Sequence, residues 1–359
     1  MNKEYIKHSP KGEAARGVFL PAEWHEQSAV QLTWPHAGTD WQPTLEDVTR
    51  CYLDMARAIS ARERLIIVTP EPAHVRILLQ ETLHTKGLSR ISFCKAPTND
   101  TWARDHGFIT LLAPEGPHLL DFKFNGWGEK FPADLDNNIC RRMAEQNILE
   151  GQYENHLDFV LEGGSIESDG CGTILTTSHC LLAPHRNQPM TQAQIEERLL
   201  ATLHAERILW LDHGYLAGDD TDSHIDTLAR FCPNGTIVYV QCLDPNDEHY
   251  AELSLMEAQL QTFRTTEGNP YSLIPLPMAK ACYDEDGTRL PATYANFLII
   301  NGAVLMPTYG DPDTDLMAKE QLHKAFPHHD IVGIDCRPLI TQHGSLHCCT
   351  MQFPREKEK

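Results

Sequence analysis

The stretch HGSLHCCT, residues 343–350, sets two histidines and two adjacent cysteines close together near the C-terminus. Such a density of soft donors suits metal ligation, oxidation, or attack by a thiolate whose pKa a neighbouring base or cation lowers. Cys348 and Cys349 are sequence neighbours, so on a strand they point to opposite faces, one sulfur toward a site and the other toward the core. A disulfide between them would strain the backbone. The base for a reactive sulfur need not be local, because cysteine enzymes commonly bring their histidine from elsewhere in the chain.

Three other segments offer partners. AGDDTDSHIDTLARF, residues 217–231, holds His224 and Asp226 one residue apart, which on an extended segment face the same side. VLEGGSIESDG, 160–170, places Glu162 before Gly163-Gly164, a pair that permits a tight backbone path and lets the carboxylate project from a strand end into a crowded site. NDTWARDHG, 99–107, contains Asp105, whose carboxylate matches a planar cation in a two-pronged hydrogen-bonded fork. Each segment also has a structural reading: a solvated turn with an Arg104 ion pair, a Gly-Gly hairpin turn, or a His/Asp metal site. No HExxH or finger-type spacing accompanies His224, and Asp219, Asp220 and Asp222 depart from the calcium-loop pattern. Together the four segments supply a thiol, a histidine and several carboxylates, without a GxGxxG or GxxxxGK[ST] anion loop. That set suits attack on a cationic carbon whose charge is neutralised by carboxylates.

The elements that must position these groups alternate along the chain. Runs rich in β-branched residues at 29–34, 64–69, 236–243, 296–308 and 330–335 predict strands. Spacings near 3.6 predict helices at 44–61, where Thr44 can cap, and at 191–203 and 311–326. The alternation is an α/β pattern. With no tandem repeat and no Ser/Gly linker, residues 1–359 form one expected domain.

The formal charge of −20 disfavours nucleic acid and anionic membranes and is compatible with a cationic substrate or partner. No apolar run approaches the roughly 18–20 residues that span a bilayer. The N-terminal MNKEYIKHSPKGEAARG lacks the apolar stretch of a signal peptide, so a cytoplasmic location is expected. Eleven cysteines without a CxxC pair fit reduced thiols, most of them small core residues.

FLPAEWHEQSAVQLTWPH, NDTWARDHG, FNGWGEK, LEGGSIESDGCGTILTT, GDDTDSHIDTLARF, NFLIINGAVLMPTYGDP, VGIDCRPLI and HGSLHCCTMQ resemble, in order, the motifs of the agmatine deiminase and bacterial-type peptidylarginine deiminase family, over about residues 18–354. The resemblance implies the pentein fold, an α/β propeller of five ββαβ-like units around a central pocket, working without metal or organic cofactor. It assigns Cys348 as nucleophile, with Cys349 packed on the other face, and His224 and Glu162 as the remaining catalytic pair. Asp105 and Asp226 become the guanidinium-binding carboxylates. Ser223 stands where many members have glycine before the histidine, and TQHGSLHC replaces a more glycine-rich run.

The mechanism implied has Asp105 and Asp226 gripping a guanidinium, Cys348 attacking its carbon, and His224, oriented by Glu162, protonating the departing nitrogen. Agmatine, a small polyamine precursor, is the expected substrate, its distal ammonium meeting carboxylates or the faces of Trp102 and Trp127, for which core packing is the competing role. Peptidylarginine and free arginine are the alternatives within the family; free arginine needs a basic partner for its carboxylate. Outside it stand a catalytically silent guanidine-binding pentein and a zinc hydrolase. His343 and His347 are expected as scaffolding or pocket lining. No nucleic acid or membrane partner is expected, and a homo-oligomer is left open.

Overall fold

A continuous apolar run such as RLIIVT suits a strand covered on both faces, the usual setting of parallel pairing. It forms Arg64–Thr69, parallel to Gln27–Thr33 on one side and to Ile91–Lys95 on the other. The computed structural model describes residues 17–356, so nearly all of the N-terminal segment weighed above as a leader lies outside the described residues.

Among the described residues, five of the six sheets repeat one plan. A leading strand pairs antiparallel with a middle strand, which pairs parallel with a trailing strand. The triples are Thr350–Pro354, Gln27–Thr33 and Arg64–Thr69; Ile109–Ala113, Gly116–Lys123 and Gln152–Val160; Ile166–Ser168, Thr173–Thr177 and Arg207–Leu211; Ala229–Cys232, Thr236–Gln241 and Ser272–Pro277; and Leu298–Ile300, Ala303–Thr308 and Asp330–Asp335. A helix joins each middle strand to its trailing strand, as a parallel crossover requires. The first, third and fifth crossovers contain the expected helices, observed at Leu45–Ser60, Gln192–Thr202 and Pro312–Ala325. Thr191 caps the second of these in a reciprocal box with Gln194, whereas the Thr44 side chain makes no capping bond.

The expected single strand at 296–308 is instead a hairpin. Leu298–Ile300 and Ala303–Thr308 pair antiparallel across Asn301-Gly302, with Gly302 at φ 74°. An Asn-Gly step inside an apolar run is a turn signal that a purely hydrophobic reading overlooks.

In the first sheet the leading strand is C-terminal and the middle strand N-terminal, so the two ends of the described chain pair with each other. The other consequence concerns the site. Asp105, Glu162, His224 with Asp226, Asn296 and Cys348 all lie in the short turns immediately before the five leading strands. The same position in each repeat therefore contributes a polar group. No helix among the described residues is long and apolar enough to cross a membrane.

Nothing lies within 4 Å of a Cβ built at Gly302, so a substitution there meets only the cost of its left-handed backbone. Gly302→Ala is expected to lower unfolding stability by about 1 kcal/mol in urea titration without altering the site; an unchanged midpoint would contradict the turn conformation.

Candidate active site

Asp105 lies in a helical turn, Ala103–His106, that the chain makes before entering the second sheet. Its carboxylate is fixed from two sides: Trp127 Nε1 donates to Oδ2 at 2.9 Å and the Gly164 amide donates to Oδ1 at 3.0 Å. Trp127 is thus more than an aromatic wall, since its indole N–H aims the carboxylate. The Gly-Gly pair after Glu162 forms a 3₁₀ turn rather than a hairpin, and its purpose is close approach. A Cβ on Gly164 would sit 2.6 Å from His224 Nδ1 and 2.8 Å from Asp105 Oδ1. Only a residue without a side chain lets these groups converge.

His224 and Asp226 are not on an extended segment as expected; Ile225–Thr227 is a 3₁₀ turn. Both side chains nevertheless reach the site and are fully buried. His224 Nδ1 lies 3.6 Å from Asp105 Oδ1, too far for a hydrogen bond, and both ring nitrogens lack a hydrogen-bond partner. Ser223, where relatives were expected to carry glycine, adopts φ 65°, so this position favours glycine on backbone grounds.

Glu162 does not hydrogen-bond His224, as the expected orienting role would require. Its Oε1 accepts from Arg186 Nε at 2.8 Å, while Oε2 is buried without a partner. Arg186 also donates to Asp222 at 2.8 Å and to the Thr221 carbonyl at 3.1 Å, locking the loop that leads into His224. Cys348 lies in a turn, not on a strand, yet the two sulfurs still diverge. Its Sγ sits 3.4 Å from Asn296 Oδ1 and 4.0 Å from Asp226 Oδ2, and Cys349 is buried in the main core. Asn296 Oδ1 further accepts from the amides of His347 at 2.9 Å and Cys348 at 3.3 Å.

Behind the site lies a buried ionic network that the sequence reading missed. His347 Nδ1 is 2.7 Å from Asp226 Oδ2, and its Nε2 is 2.8 Å from Glu23 Oε2. Arg230, fully buried, donates to Glu23, pairs closely with Glu167, and caps the Ala295 and Phe297 carbonyls. Arg104 points back toward Glu23 at 3.7 Å instead of forming a solvated pair. Glu23, Arg230 and Asn296 all sit inside stretches quoted above for the resemblance, but their partners lie far away in sequence.

The cavity over Cys348 has a volume of about 190 Å³ and is lined by Asp40, Asp100, Asp105, Asp220, Trp102, Trp127, Phe131 and His343 among others, with no lysine or arginine. Trp102 packs against Gly344, where a Cβ would meet its ring at 2.2 Å. Burial and the neighbouring Asp226 push the Asp105 carboxyl well above the usual carboxylate range. Burial together with Asp226 and Asp105 raises the Cys348 thiol well above its ordinary value. Burial pushes the His224 imidazole down to about 3. Asp226 is held below its usual value: burial opposes this, but the His347 hydrogen bond together with the charges of His347, His224 and Arg230 outweighs it.

Among the described residues, two groups of donors come close enough together to consider a metal. Glu162, Cys180 and His224 present atoms within 4.8 Å of one another, as do Glu23, Glu167 and His347. Arg186 already bonds the first group's carboxylate and Arg230 occupies the second, so each position carries a guanidinium that a metal cation would have to displace.

The model of the Porphyromonas-type peptidyl-arginine deiminase family matches residues 19–354. The chain belongs to this family. Within it, a protein named "Putative agmatine deiminase" from Marinomonas sp. is 32% identical, the match covering 95% of each chain. A Porphyromonas gingivalis structure named "Putative Arginine Deiminase" is 51% identical with TM-score 0.88, over 95% of this chain and 99% of that one. An agmatine deiminase of C. jejuni, solved as a cysteine-to-serine variant with substrate bound, is 37% identical with TM-score 0.85, over 94% and 96%. The fold shared with these deiminases is mixed α/β.

The raised thiol pKa has a sign that can be tested. Iodoacetamide should alkylate Cys348 slowly at pH 7, with a rate still climbing above pH 9. Asp226→Asn should bring that rise to lower pH, because it removes a negative charge beside the sulfur; an unmoved profile would contradict the electrostatics described.

Proposed function

We propose that this deiminase-family chain is an agmatine deiminase, hydrolysing the guanidinium of agmatine to N-carbamoylputrescine and ammonia. The observation that carries the reading is a set of buried, unmatched polar atoms in one place: Asp226 Oδ1, Glu162 Oε2 and both nitrogens of His224. A buried polar atom without a partner costs about 1–3 kcal/mol. Three further carboxylates line the approach, and the guanidinium, a planar fork of N–H donors with a delocalised positive charge, matches what is missing.

The rest of the lining separates the candidates. Agmatine carries a second cation at its far end, and Asp40, Asp100 and Asp220 with the rings of Trp102 and Phe131 suit an ammonium. Free arginine would bring its carboxylate into a cavity lined by no lysine or arginine. Arg104 and Arg186, the nearby guanidiniums, are turned away into Glu23 and Glu162. The curated relatives and solved agmatine deiminases at 28–37% identity favour the same reading.

In the proposed reaction the guanidinium settles between Asp105 and Asp226. Its charge lowers the thiol pKa that the carboxylates had raised, and the proton passes to the neutral His224, whose imidazolium Glu162 stabilises. The Cys348 sulfur attacks the guanidino carbon. His224 returns its proton to the departing nitrogen, ammonia leaves, and an S-alkylthiouronium remains. Water, giving a proton to His224, then adds to the same carbon, and collapse releases the ureido product and the thiol. Two steps replace one slow attack on a resonance-stabilised carbon. The scheme uses no cofactor. The reading further takes the five ββαβ units as the blades of a pentein propeller within one domain, and a cytoplasmic setting, which eleven cysteines without a CxxC pair support.

Incubation with agmatine, arginine and an arginine peptide, measuring ammonia and the ureido product, tests the substrate. Agmatine should be turned over fastest; preference for arginine or the peptide moves the reading to those alternatives, and inertness toward all three rejects it. Cys348→Ala should abolish turnover while Cys349→Ala keeps most of it. Gly164→Ala should fold yet lose about a hundredfold in kcat/KM, because its methyl displaces His224 and Asp105; wild-type kinetics would refute the close packing.

A further inference from the structure

We propose that His347 is a positioning residue for the reaction, a hydrogen-bond donor that holds Asp226 in one orientation with its free oxygen turned to the substrate. The proposal rests on the guanidine-binding role given to Asp226 above.

Asp226 has two carboxylate oxygens with different fates. Oδ2 is 2.7 Å from His347 Nδ1, and Oδ1 is buried with no partner. Occupying one oxygen fixes the plane of the group and leaves the other open for a guanidinium N–H. His347 in turn cannot swing. Its backbone amide donates to Asn296 Oδ1 at 2.9 Å, its carbonyl accepts from Thr350 Oγ1 at 2.9 Å, and its Nε2 faces Arg230 Nη2 at 3.0 Å and Glu23 Oε2 at 2.8 Å.

The partner fixes the proton on the substrate side. Asp226 is held ionised and its Oδ2 can only accept, so Nδ1 carries a proton toward it, while Nε2 lies between Arg230 Nη2, a donor, and Glu23 Oε2, an acceptor. Arg230 Nη2 also donates to Glu23 Oε2 at 2.8 Å, so Glu23 has its own donor. Burial, Arg104 and Arg230 lower the imidazole pKa, against Glu23 and the Asp226 hydrogen bond, which raise it.

Asp226 is faced by His347 and Cys348 from the C-terminal turn, by His224 from its own turn, and by Asp105. Arg104, Arg230 and Asp219 act on it from farther away. Of these, only His347 hydrogen-bonds its carboxylate oxygens at ordinary distance. Removing the donor should raise the Asp226 pKa, so the acidic limb of kcat/KM moves to higher pH.

The test compares His347→Ala and His347→Asn in the full-length protein. The asparagine amide nitrogen can take the place of Nδ1 and still donate to Asp226. His347→Ala should raise KM for agmatine about tenfold or more, with a smaller change in kcat, and shift the acidic limb upward. His347→Asn should recover most of the KM and return the limb toward wild type. A merely structural role would reduce the active fraction, and so kcat, while leaving KM and the limb in place.

A second readout does not depend on turnover: the concentration of guanidinium ion that half-protects Cys348 from iodoacetamide. His347→Ala should raise it about tenfold, and His347→Asn much less. If wild type proves inert toward agmatine yet shows this pattern, the substrate reading falls and the positioning role stands. Equal protection in wild type and His347→Ala, or equal impairment in the two variants, overturns the proposal.

Discussion

Everything at this site follows from burying more carboxylates beside a thiol than there are cations to match them. Asp105, Asp226 and Glu162 are fully or almost fully inside the protein, where negative charges repel at short range and lack water. Glu162 has the Arg186 guanidinium, and Asp226 has the His347 ring, with Arg104 and Arg230 farther away. The unpaid part of this arrangement falls on Asp105 and Cys348, both of which are driven toward their protonated forms. An incoming guanidinium relieves that cost, so affinity for the cation and activation of the sulfur come from the same electrostatics.

Such a site needs a scaffold that tolerates buried charge, and the network behind it supplies one. Arg230 sits among Glu23, Glu167, His347 and two backbone carbonyls, and lies 4.6 Å from the ring centroid of Phe297. Removing one partner from a buried ion pair typically costs about 3–5 kcal/mol, which makes this cluster a rigid floor. The topology explains how distant residues reach it. Each ββαβ unit places a short turn before its leading strand, and five such turns deliver Asp105, Glu162, His224 with Asp226, Asn296 and Cys348. Pairing of the C-terminal strand with the N-terminal middle strand anchors the turn that holds Cys348.

Part of this was legible beforehand. The α/β alternation followed from β-branched runs and helical spacing, and Arg64–Thr69 and Asp330–Asp335 fell where expected. Cys348, His224, Asp226, Glu162 and Asp105 could be picked out because reactive residue types stand next to glycines and acidic residues in short segments, and the family resemblance gave them roles. The fivefold repetition was not visible, since it is carried by strand pairing with no shared residues to mark it. The hairpin at Asn301-Gly302 was lost because an unbroken apolar run outweighed a two-residue turn signal. His224 and Asp226 were placed together for the wrong reason: a 3₁₀ turn, not a strand face, brings them into the site. Glu23, Arg230 and Asn296 escaped notice because their importance lies in partners far away in sequence, which spacing does not reveal. Arg186 was missed for the same reason, and with it the fact that Glu162 answers first to a guanidinium of the protein itself.

The central claim is that a cation arriving at these carboxylates drives protons off the site. Calorimetry of guanidinium ion binding near pH 7.5, repeated in buffers of different ionisation enthalpy, measures that directly. The account predicts net proton release, seen as a binding heat that varies with the buffer in the sense of protons passing to it. A heat independent of buffer, or one showing proton uptake, would contradict it.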